Sequence, residues 1–299
     1  MTSSRLAIVT CAAFPELEDS ERLVLPPLAA RGVTPDLVVW DDPAVDWSAY
    51  DLAVVRSTWD YSERRDEFVA WAASVPRLAN PAPVLRWNTD KRYLRSLAEM
   101  GVAVVPTSWL EPGEDVTLPS AGQFVVKPAV SAGGNDTGRY DAGDAAELTL
   151  AAELARRILD SGRTVMVQPY LAGIDTAGET ALLFLGGEFS HAIRKGPILT
   201  GPFVDGTPVR PGDHIMTRTP SDLEHAVAAE VLAAARECVP EAADLLYARV
   251  DLVPGPDGAP VLLELELTEP SLFLADDAGA ADRFADAIVR ALARASATE

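Results

Sequence analysis

The sequence predicts a mixed α/β protein that begins with an open parallel sheet and has room for two or three lobes. Short apolar runs alternate with helix-like segments at the start of the chain, a pattern typical of parallel sheets. The 299 residues are 48% hydrophobic, which is enough for several buried cores. The third observation is a hairpin rich in acidic residues near the end of the chain, which is a candidate functional site.

The composition excludes several functional classes. A formal net charge of −20, from 45 acidic and 25 basic residues, argues against nucleic-acid partners and anionic membranes. Cys11 and Cys238 form no disulfide framework, so we expect a reducing cytoplasm. The first residues are typical of a strand and not of a signal peptide, and no apolar run approaches transmembrane length. An anionic small-molecule substrate is still possible as a partner, because a few clustered cations or backbone amides can set the local field. Self-association into a homo-oligomer also stays open.

The first 80 residues predict a small α/β unit. Strands are expected at residues 6–11, 37–40 and 52–56, and helices at 19–31 and 63–74. A polar run, RSTWDY, follows the third strand, and open α/β sheets bind ligands at such carboxyl edges. We therefore consider four of its side chains as ligands for a substrate carboxylate: Arg56, Ser57, Thr58 and Asp60. An ordinary polar loop, with Trp59 filling a gap in the core, explains the run equally well.

A linker is predicted at residues 80–83, and a helix at 90–100 follows it. Asn88 or Thr89 is expected to cap this helix, and Gly101 to end it. Lys91 would then lie in the first helical turn, where the helix dipole does not favour a cation. A bound phosphate would account for this position, although an exposed lysine is a common alternative.

The middle of the chain contains a loop of the kind that covers phosphates. A strand at residues 123–127 ends in Lys127 and precedes the Gly-rich segment VSAGGNDTGR. The chain has neither a Walker A motif nor GxGxxG, and a plain hairpin turn explains the segment about as well. A helix at 144–161 and a buried-type strand at 165–170 are expected next.

The second half predicts an antiparallel hairpin, a long loop and two helices. Residues 179–185 and 188–195 flank Gly186-Gly187, and the second strand ends in Arg194-Lys195. The Gly- and Pro-rich segment 196–215 is of a length that is usually functional or mobile. A capping box opens a helix from residue 221 to about 239, and a closing helix is expected at 282–294.

The acidic hairpin spans residues 247–270 around the turn residues PGPDG. If Asp251 pairs with Glu264, then Arg249 falls opposite Glu266, and all four side chains share one face. A slip of one residue would separate Asp251 from Glu264. Packed carboxylates of this kind suit Mg²⁺, which usually brings phosphates with it. A solvated strand face is the alternative interpretation.

These motifs, taken in order, resemble the ATP-grasp superfamily of carboxylate-amine ligases over residues 85–295. The order is Lys91, VVKP, the Gly-rich loop, VQPY, Gly178-Glu179, Arg194-Lys195 and RVD…ELE. The resemblance implies a combined α/β and α+β ATP-grasp fold with two ATP-clamping lobes behind the N-terminal sheet. Its domains would be 1–86 (α/β, substrate-binding), 87–170 (central lobe) and 171–299 (C-terminal lobe with the metal site). The runs RSTWDY, KPAVSAGGNDTGRY and LLELELTEPSLFL most resemble the cyclo-ligase family that forms the antibiotic D-cycloserine from O-ureido-D-serine.

The resemblance also implies roles for individual residues. ATP would contact Lys91, Lys127, Ser131, Ala132, Gly133, Gly134, Gln168, Tyr170, Leu171, Asp175, Glu179 and Lys195. Asp251, Glu264 and Glu266 would hold two Mg²⁺ ions, Arg249 would be catalytic, and Arg194 would join the substrate site. Many members carry Glu-x-Asn where this chain has Glu264-Leu265-Glu266, so the role of Glu266 is less firmly implied.

The implied reaction is ADP-forming ligation through an acyl phosphate. ATP phosphorylates a substrate carboxylate, and a nitrogen of the same molecule then attacks the activated carbon. A mobile loop, from Ser131 to Thr137 or over 196–215, would shield the intermediate from water. Ligation between two molecules uses the same apparatus and remains an alternative. A regulator that binds ATP without catalysis is a third possibility.

Overall fold

The computed structural model describes residues 4–204 and 215–296, and its first sheet is parallel. The strands are β1 Leu6–Thr10, β2 Asp36–Val39, β3 Leu52–Val55 and β4 Leu78–Ala79. Their spatial order is β2-β1-β3-β4. The two central strands, β1 and β3, are buried along their whole length, as expected when both faces of a sheet are covered. The predicted open parallel sheet is confirmed.

The second sheet is antiparallel and supports the Gly-rich loop. Its strands are β5 Ser108–Leu110, β6 Gln123–Pro128, β7 Gly138–Asp141 and β8 Val165–Pro169, in the order β5-β8-β6-β7. The Gly-rich loop connects β6 to β7. One face of this sheet packs against a long helix, whose buried side chains include Leu154 and Ile158.

The third sheet is antiparallel and contains the acidic hairpin. Its strands are β9 Glu179–Leu185, β10 Glu188–Lys195, β11 Met216–Thr217, β12 Tyr247–Pro254 and β13 Pro260–Glu266. Their order is β11-β10-β9-β12-β13, so that β12 lies between β9 and β13, and β13 lies at the edge. The predicted turn at Gly186-Gly187 joins β9 to β10, and both glycines have positive φ, 61° and 85°.

Eight α-helices belong to the described part of the chain. They are α1 Leu25–Ala30, α2 Arg65–Ser74, α3 Ala82–Asn88, α4 Tyr93–Glu99, α5 Ala145–Asp160, α6 Gly173–Ala177, α7 Asp222–Cys238 and α8 Ala280–Ser296. The predicted capping box is present at the start of α7. Ser221 Oγ accepts from Glu224 N at 3.2 Å, and Ser221 N donates to Glu224 Oε2 at 2.8 Å.

Helix α8 returns to the beginning of the chain. Phe284 is fully buried in a core shared by the first sheet and the third sheet. At the surface, Arg31 Nε donates to Asp286 Oδ1 at 2.6 Å, and its Nη1 to Asp282 Oδ1 at 3.0 Å. The domain boundaries at residues 86 and 170 stay predictions. The packing of α8 places the last helix against the first sheet as well as the third.

Two local predictions around residue 80 are wrong. Asn80 is not part of a loose linker, since it is fully buried and its amide donates to Tyr247 O at 2.8 Å and Leu267 O at 2.7 Å. Asn88 is not a helix cap either, because it is the last residue of α3 and its side chain bonds Leu265 O and Leu267 N. Helix α4 begins only at Tyr93, so Lys91 precedes it. Both asparagines instead hold the backbone of the acidic hairpin.

Within residues 4–204 and 215–296, no helix combines the length and apolar character needed to cross a membrane. Cys11 and Cys238 are free thiols. Half of the long loop predicted at 196–215, residues 205–214, lies outside the described residues.

Candidate active site

A cavity of about 370 Å³ is lined by strands of the second and third sheets and by the segment that follows β3. This volume lies within the range of small-molecule sites. Its lining combines lysines, buried carboxylates, the Gly-rich loop and an apolar end. The residues predicted for ATP, metal and catalysis that line it are Lys91, Lys127, Ser131, Ala132, Gly133, Gly134, Gln168, Tyr170, Leu171, Glu179, Lys195, Arg249, Asp251, Glu264 and Glu266.

The hairpin has the predicted register. Asp251 pairs with Glu264, and Arg249 pairs with Glu266. Because side chains alternate along a strand, these four lie on the face that lines the cavity. A bulge after Asp251, which the sequence did not reveal, leaves Leu263 as an extra residue that also lines the cavity.

Asp251 is the most deeply paired carboxylate of the site. Arg249 donates to both of its oxygens, with Nε 2.9 Å from Oδ1 and Nη2 2.9 Å from Oδ2. Lys195 Nζ lies 2.9 Å from Oδ2 as well. Burial alone would raise the pKa of Asp251, but Arg249 and Lys195 hold it well below its usual range. Asp251 is therefore an anion at neutral pH.

Lys91 connects the hairpin to the Gly-rich loop. Its Nζ lies 3.1 Å from Glu264 Oε1 and donates to Ser131 O at 2.9 Å. Gly133 and Gly134, two residues further on, have φ of 62° and 72°, a backbone region in which glycine is favoured. Burial would raise the pKa of Glu264, but Lys91 and Lys127 together lower it.

Lys127 has a different environment. It is buried, and its ammonium forms no ion pair with any residue in the two described stretches. Burial lowers the pKa of Lys127, and Glu264 only partly opposes this effect. A buried cation that faces a cavity without a partner is costly unless a ligand supplies the anion.

All the lysines of this protein lie at the same site. The chain has three, Lys91, Lys127 and Lys195, and all three line this one cavity. Lysine is ordinarily a surface residue, so this distribution marks the site without any motif. In a strongly acidic chain, these three ammonium groups create a local field that attracts phosphate.

Two further carboxylates of the cavity have strongly raised pKa values. Burial raises the pKa of Glu179 and of Glu266 to about 7, although Lys195 and Arg249 oppose the shifts. Glu179 pairs with Lys195, and Glu266 pairs with Arg249. An additional cation in the cavity would oppose the effect of burial and stabilise the ionised form of both carboxylates.

The apolar end of the cavity lies at the far end of β12. Val253 follows Arg249 and Asp251 on the same face, and Tyr170, Leu171 and Ile174 also line the cavity. Alternating residues advance by about 6.7 Å along a strand, so the lining changes from charged to apolar in steps of that size. Such a gradient suits a ligand with an apolar ring at one end and phosphates at the other.

Gln168 and Asp175 are held by other side chains. Gln168 lines the cavity, but its Nε2 donates to Thr107 Oγ1 at 2.9 Å. Asp175 does not line the cavity; it accepts from the Tyr170 hydroxyl at 2.6 Å and pairs with Arg139 at 3.3 Å. Of the two acids expected near the ribose, only Glu179 lines the cavity.

The five residues predicted to bind substrate do not line the cavity. Arg56 is 1% exposed, and its Nε and Nη2 donate to Glu21 at 2.7 and 2.8 Å. Ser57 and Thr58 are fully buried, and Asp60 accepts from the indole of Trp40. Arg194 donates to the backbone of α6, at Ala177 O and Thr176 O. Neither guanidinium group lines the cavity, so the structure does not bring the predicted carboxylate clamp at Arg56 to this site.

Sequence reasoning missed three lining residues near the carboxyl end of β3: Trp59, Tyr61 and Glu269. The first two belong to the RSTWDY run, and they line the cavity where the four side chains predicted from that run do not. Burial, followed by the nearby charge of Glu266, raises the pKa of Glu269 to about 8. An acid three residues after Glu266, just beyond the acidic strand, was the available signal.

The donor set fits magnesium held jointly with a phosphate ligand. The inward-facing oxygens are carboxylates, which are hard donors. Among residues 4–204 and 215–296, no three potential ligands gather closely enough to enclose one ion by themselves. Mg²⁺ ordinarily takes one or two carboxylates and completes its shell with phosphate and water, so such a cage is not required.

Known proteins are similar to this chain in both sequence and fold. The profile of a family described as the N-terminal domain of the D-cycloserine synthetase DcsG matches residues 6–80. The cycloserine biosynthesis protein DcsG of Streptomyces lavendulae is 39% identical over 303 residues, covering 96% of this chain and 98% of the relative. The crystal structure of D-cycloserine synthetase DcsG has a TM-score of 0.86 at 38% identity, covering 97% and 100% of the two chains.

A more distant structure shares the fold alone. The D-alanine–D-alanine ligase of Bacillus anthracis, solved with ATP, has a TM-score of 0.63 at 14% identity and covers 99% of this chain and 100% of its own. The similarity to DcsG extends along nearly the whole length of both chains. The chain therefore belongs to the D-cycloserine synthetase family, has the fold of ATP-grasp ligases, and is a carbon–nitrogen ligase.

Proposed function

We propose that the protein is an ATP-dependent, ADP-forming cyclo-ligase that converts O-ureido-D-serine to D-cycloserine. The observation that carries the proposal is the graded lining of the cavity along β12. Val253, Asp251 and Arg249 follow one another along one face of this strand, and Lys195 reaches Asp251 from the neighbouring part of the sheet. This order matches a nucleotide ring, its phosphates and a carboxylate to be phosphorylated. The names of the relatives support cycloserine as the product.

Activation solves a leaving-group problem. A carboxylate reacts poorly with nitrogen nucleophiles because oxide would have to leave. Transfer of the γ-phosphoryl group to the carboxylate oxygen releases ADP and makes an acyl phosphate, from which phosphate leaves readily. We assign Lys91, Lys127 and Lys195 to the phosphates, and Arg249 to the charge that develops at the reacting carboxylate.

Ring closure follows within one molecule. The nitrogen bonded to oxygen in the ureidooxy group attacks the acyl carbon, phosphate departs, and the nitrogen loses its proton. The carbamoyl group on that nitrogen is then lost to water as carbon dioxide and ammonia. Because nucleophile and electrophile belong to the same molecule, the enzyme needs only to hold a folded conformation and exclude water.

Magnesium would be held by the hairpin. We assign Asp251, Glu264 and Glu266 as its carboxylate ligands, and we propose that they serve two ions. When bound, Mg²⁺ neutralises phosphate charge during transfer. Lys91 and Lys195 pair with two of these carboxylates in the structure and would be free to turn toward phosphate.

Release of ADP with O-ureido-D-serine, measured in a coupled assay with mass detection of the product, tests the proposal. We expect equimolar ADP and D-cycloserine, with no stimulation by added amines. Stimulation by free amines or amino acids, with no turnover of O-ureido-D-serine, would instead identify an intermolecular ligase. Tight binding of Mg·ATP without turnover of any carboxylate would identify a regulator.

A further inference from the structure

Glu269 is a buried carboxylate that no cation neutralises in the described part of the chain. It is 7% exposed and lines the cavity beyond Glu266. The two cations whose charges act on the Glu269 carboxylate are Lys91 and Arg56. Lys91 pairs with Glu264, and Arg56 pairs with Glu21. Burial without an ion-pair partner favours the protonated acid, and a cationic group of a ligand would stabilise the carboxylate form instead.

The surroundings of Glu269 suit an ammonium group. Trp59, Tyr61 and Phe273 line the same cavity, and the Tyr61 hydroxyl interacts with the Glu269 carboxylate. Aromatic side chains attract cations through their faces, while the carboxylate supplies the opposite charge. An ammonium placed among these groups would be both paired and shielded from water.

Glu269 and Arg249 line the same cavity, and Arg249 contacts residues on both sides of Glu269 in sequence. Arg249 pairs with Glu266, the last residue of β13, and its Nη1 donates to Ser271 O at 3.1 Å. Glu269 lies between Glu266 and Ser271 in sequence, so it belongs to the short segment that Arg249 holds. An α-amino acid carries its ammonium on the carbon next to the carboxylate. A carboxylate at Arg249 therefore brings the ammonium into the neighbourhood of Glu269.

We propose that Glu269 binds the α-ammonium group of the substrate and restricts the enzyme to carboxylates with a free amine on the adjacent carbon. The assignment rests on the proposed ligase function, because it takes Arg249 to mark the reacting carboxylate. Glu269 is in this view a specificity residue, whereas the carboxylates of the hairpin serve the phosphates. None of the residues inferred from the family resemblance has this role.

The test compares two ligands in the full-length protein: O-ureido-D-serine and its desamino analogue, 3-(ureidooxy)propanoate. We expect Glu269→Gln to raise KM for the amino substrate by about 100-fold, as for loss of one partner of a buried charge pair. kcat at saturation and the affinity for Mg·ATP should change far less. The desamino analogue should be used equally well by both proteins, so discrimination should fall by about 100-fold.

Two variants serve as controls. Glu224→Gln removes a glutamate that is also 7% exposed but caps α7 outside the cavity, so discrimination should be unchanged. Glu269→Asp retains the charge on a shorter side chain, so discrimination should persist with an intermediate KM. Equal losses for both ligands in Glu269→Gln would overturn the assignment, because a merely structural role affects both alike.

Calorimetric binding of the same two ligands, with Mg²⁺ and a non-hydrolysable ATP analogue present, separates the assignment from the proposed reaction. Wild-type preference for the amino ligand that disappears in Glu269→Gln supports the assignment even if O-ureido-D-serine is not turned over. Turnover of O-ureido-D-serine with discrimination unchanged in the variant rejects the assignment and leaves the reaction standing. Binding of neither ligand to the wild type rejects the assignment as well.

Discussion

Asp251 stands directly opposite Glu264 on neighbouring strands, and each carboxylate has its own lysine. Lys195 Nζ lies 2.9 Å from Asp251 Oδ2, and Lys91 Nζ lies 3.1 Å from Glu264 Oε1. The two lysines come from different parts of the fold, one from the end of β10 and one from the segment before α4. A ligand that brings both phosphate and a divalent cation can therefore replace both ion pairs. The two lysines would then bind phosphate, and the two carboxylates would bind the metal.

This relationship makes Glu264→Gln the most informative change in the hairpin. We expect kcat to fall by about 100-fold or more, as when a charge-stabilising group is lost from an active site. The melting temperature should stay close to that of the wild type, because Lys91 retains Ser131 as a partner. ADP release and thermal unfolding measure the two effects. Glu188→Gln, at an exposed glutamate of β10, is the control, and undiminished activity in Glu264→Gln would remove the hairpin from the mechanism.

Lys127 should contribute to binding at the expense of stability. Replacement by methionine removes a buried charge while keeping a similar volume, so we expect the free energy of unfolding to rise by about 1 kcal/mol. The affinity for Mg·ATP should fall by about 100-fold, since the phosphates lose a desolvated cation. Urea denaturation and calorimetry measure the two quantities. A variant that loses stability and binds Mg·ATP as before would show that Lys127 is structural.

Arg56 and Glu21 should behave as a buried structural pair. Both side chains are 1% exposed, so we expect Arg56→Met to lower the free energy of unfolding by about 3–5 kcal/mol, leaving Glu21 unpaired. The double variant Arg56→Met/Glu21→Leu should recover much of this loss, because neither charge remains. The half-exposed pair Arg5 and Asp36 is the control, and Arg5→Met should have little effect. Failure of the double variant to recover stability would refute this role.

His191 should make the fold sensitive to acid. Burial lowers the pKa of His191, whose Nε2 lies 3.0 Å from Leu272 O and whose Nδ1 lies 2.9 Å from Ser190 Oγ. The unfolded chain therefore binds a proton more readily than the folded chain. The stability linked to His191 is complete above its ordinary pKa of about 6.5 and is lost as the pH falls below that value.

The variant His191→Gln should flatten this loss. We expect its free energy of unfolding, measured with urea from about pH 8 down to about pH 5, to decline less steeply than that of the wild type. Other titrating groups are common to both proteins, so the difference between the two curves reports on His191. Parallel curves would show that His191 protonates equally well in both states.

Much of the site was predictable because its geometry is local. Alternation along a strand and turn chemistry place Arg249, Asp251, Glu264 and Glu266 on one face without reference to the rest of the chain. The same holds for the capping box at Ser221 and for the Gly-Gly turn between β9 and β10. The order of short motifs was enough to predict the ATP-grasp fold, which the related structures confirm.

The sequence by itself thus predicted the fold from the order of its motifs. For one choice of strand pairing it also predicted the common face of the hairpin charges, because alternation along a strand depends on neighbours within a few residues. Only the tertiary structure decided which side chains face the cavity where distant segments meet. Arg56 was a natural candidate for an anion, yet burial beside Glu21 commits it elsewhere, whereas Tyr61 and Glu269 meet across the fold. Burial and long-range pairing set the free energy of a charge, and neither can be read from the residues next to it in sequence.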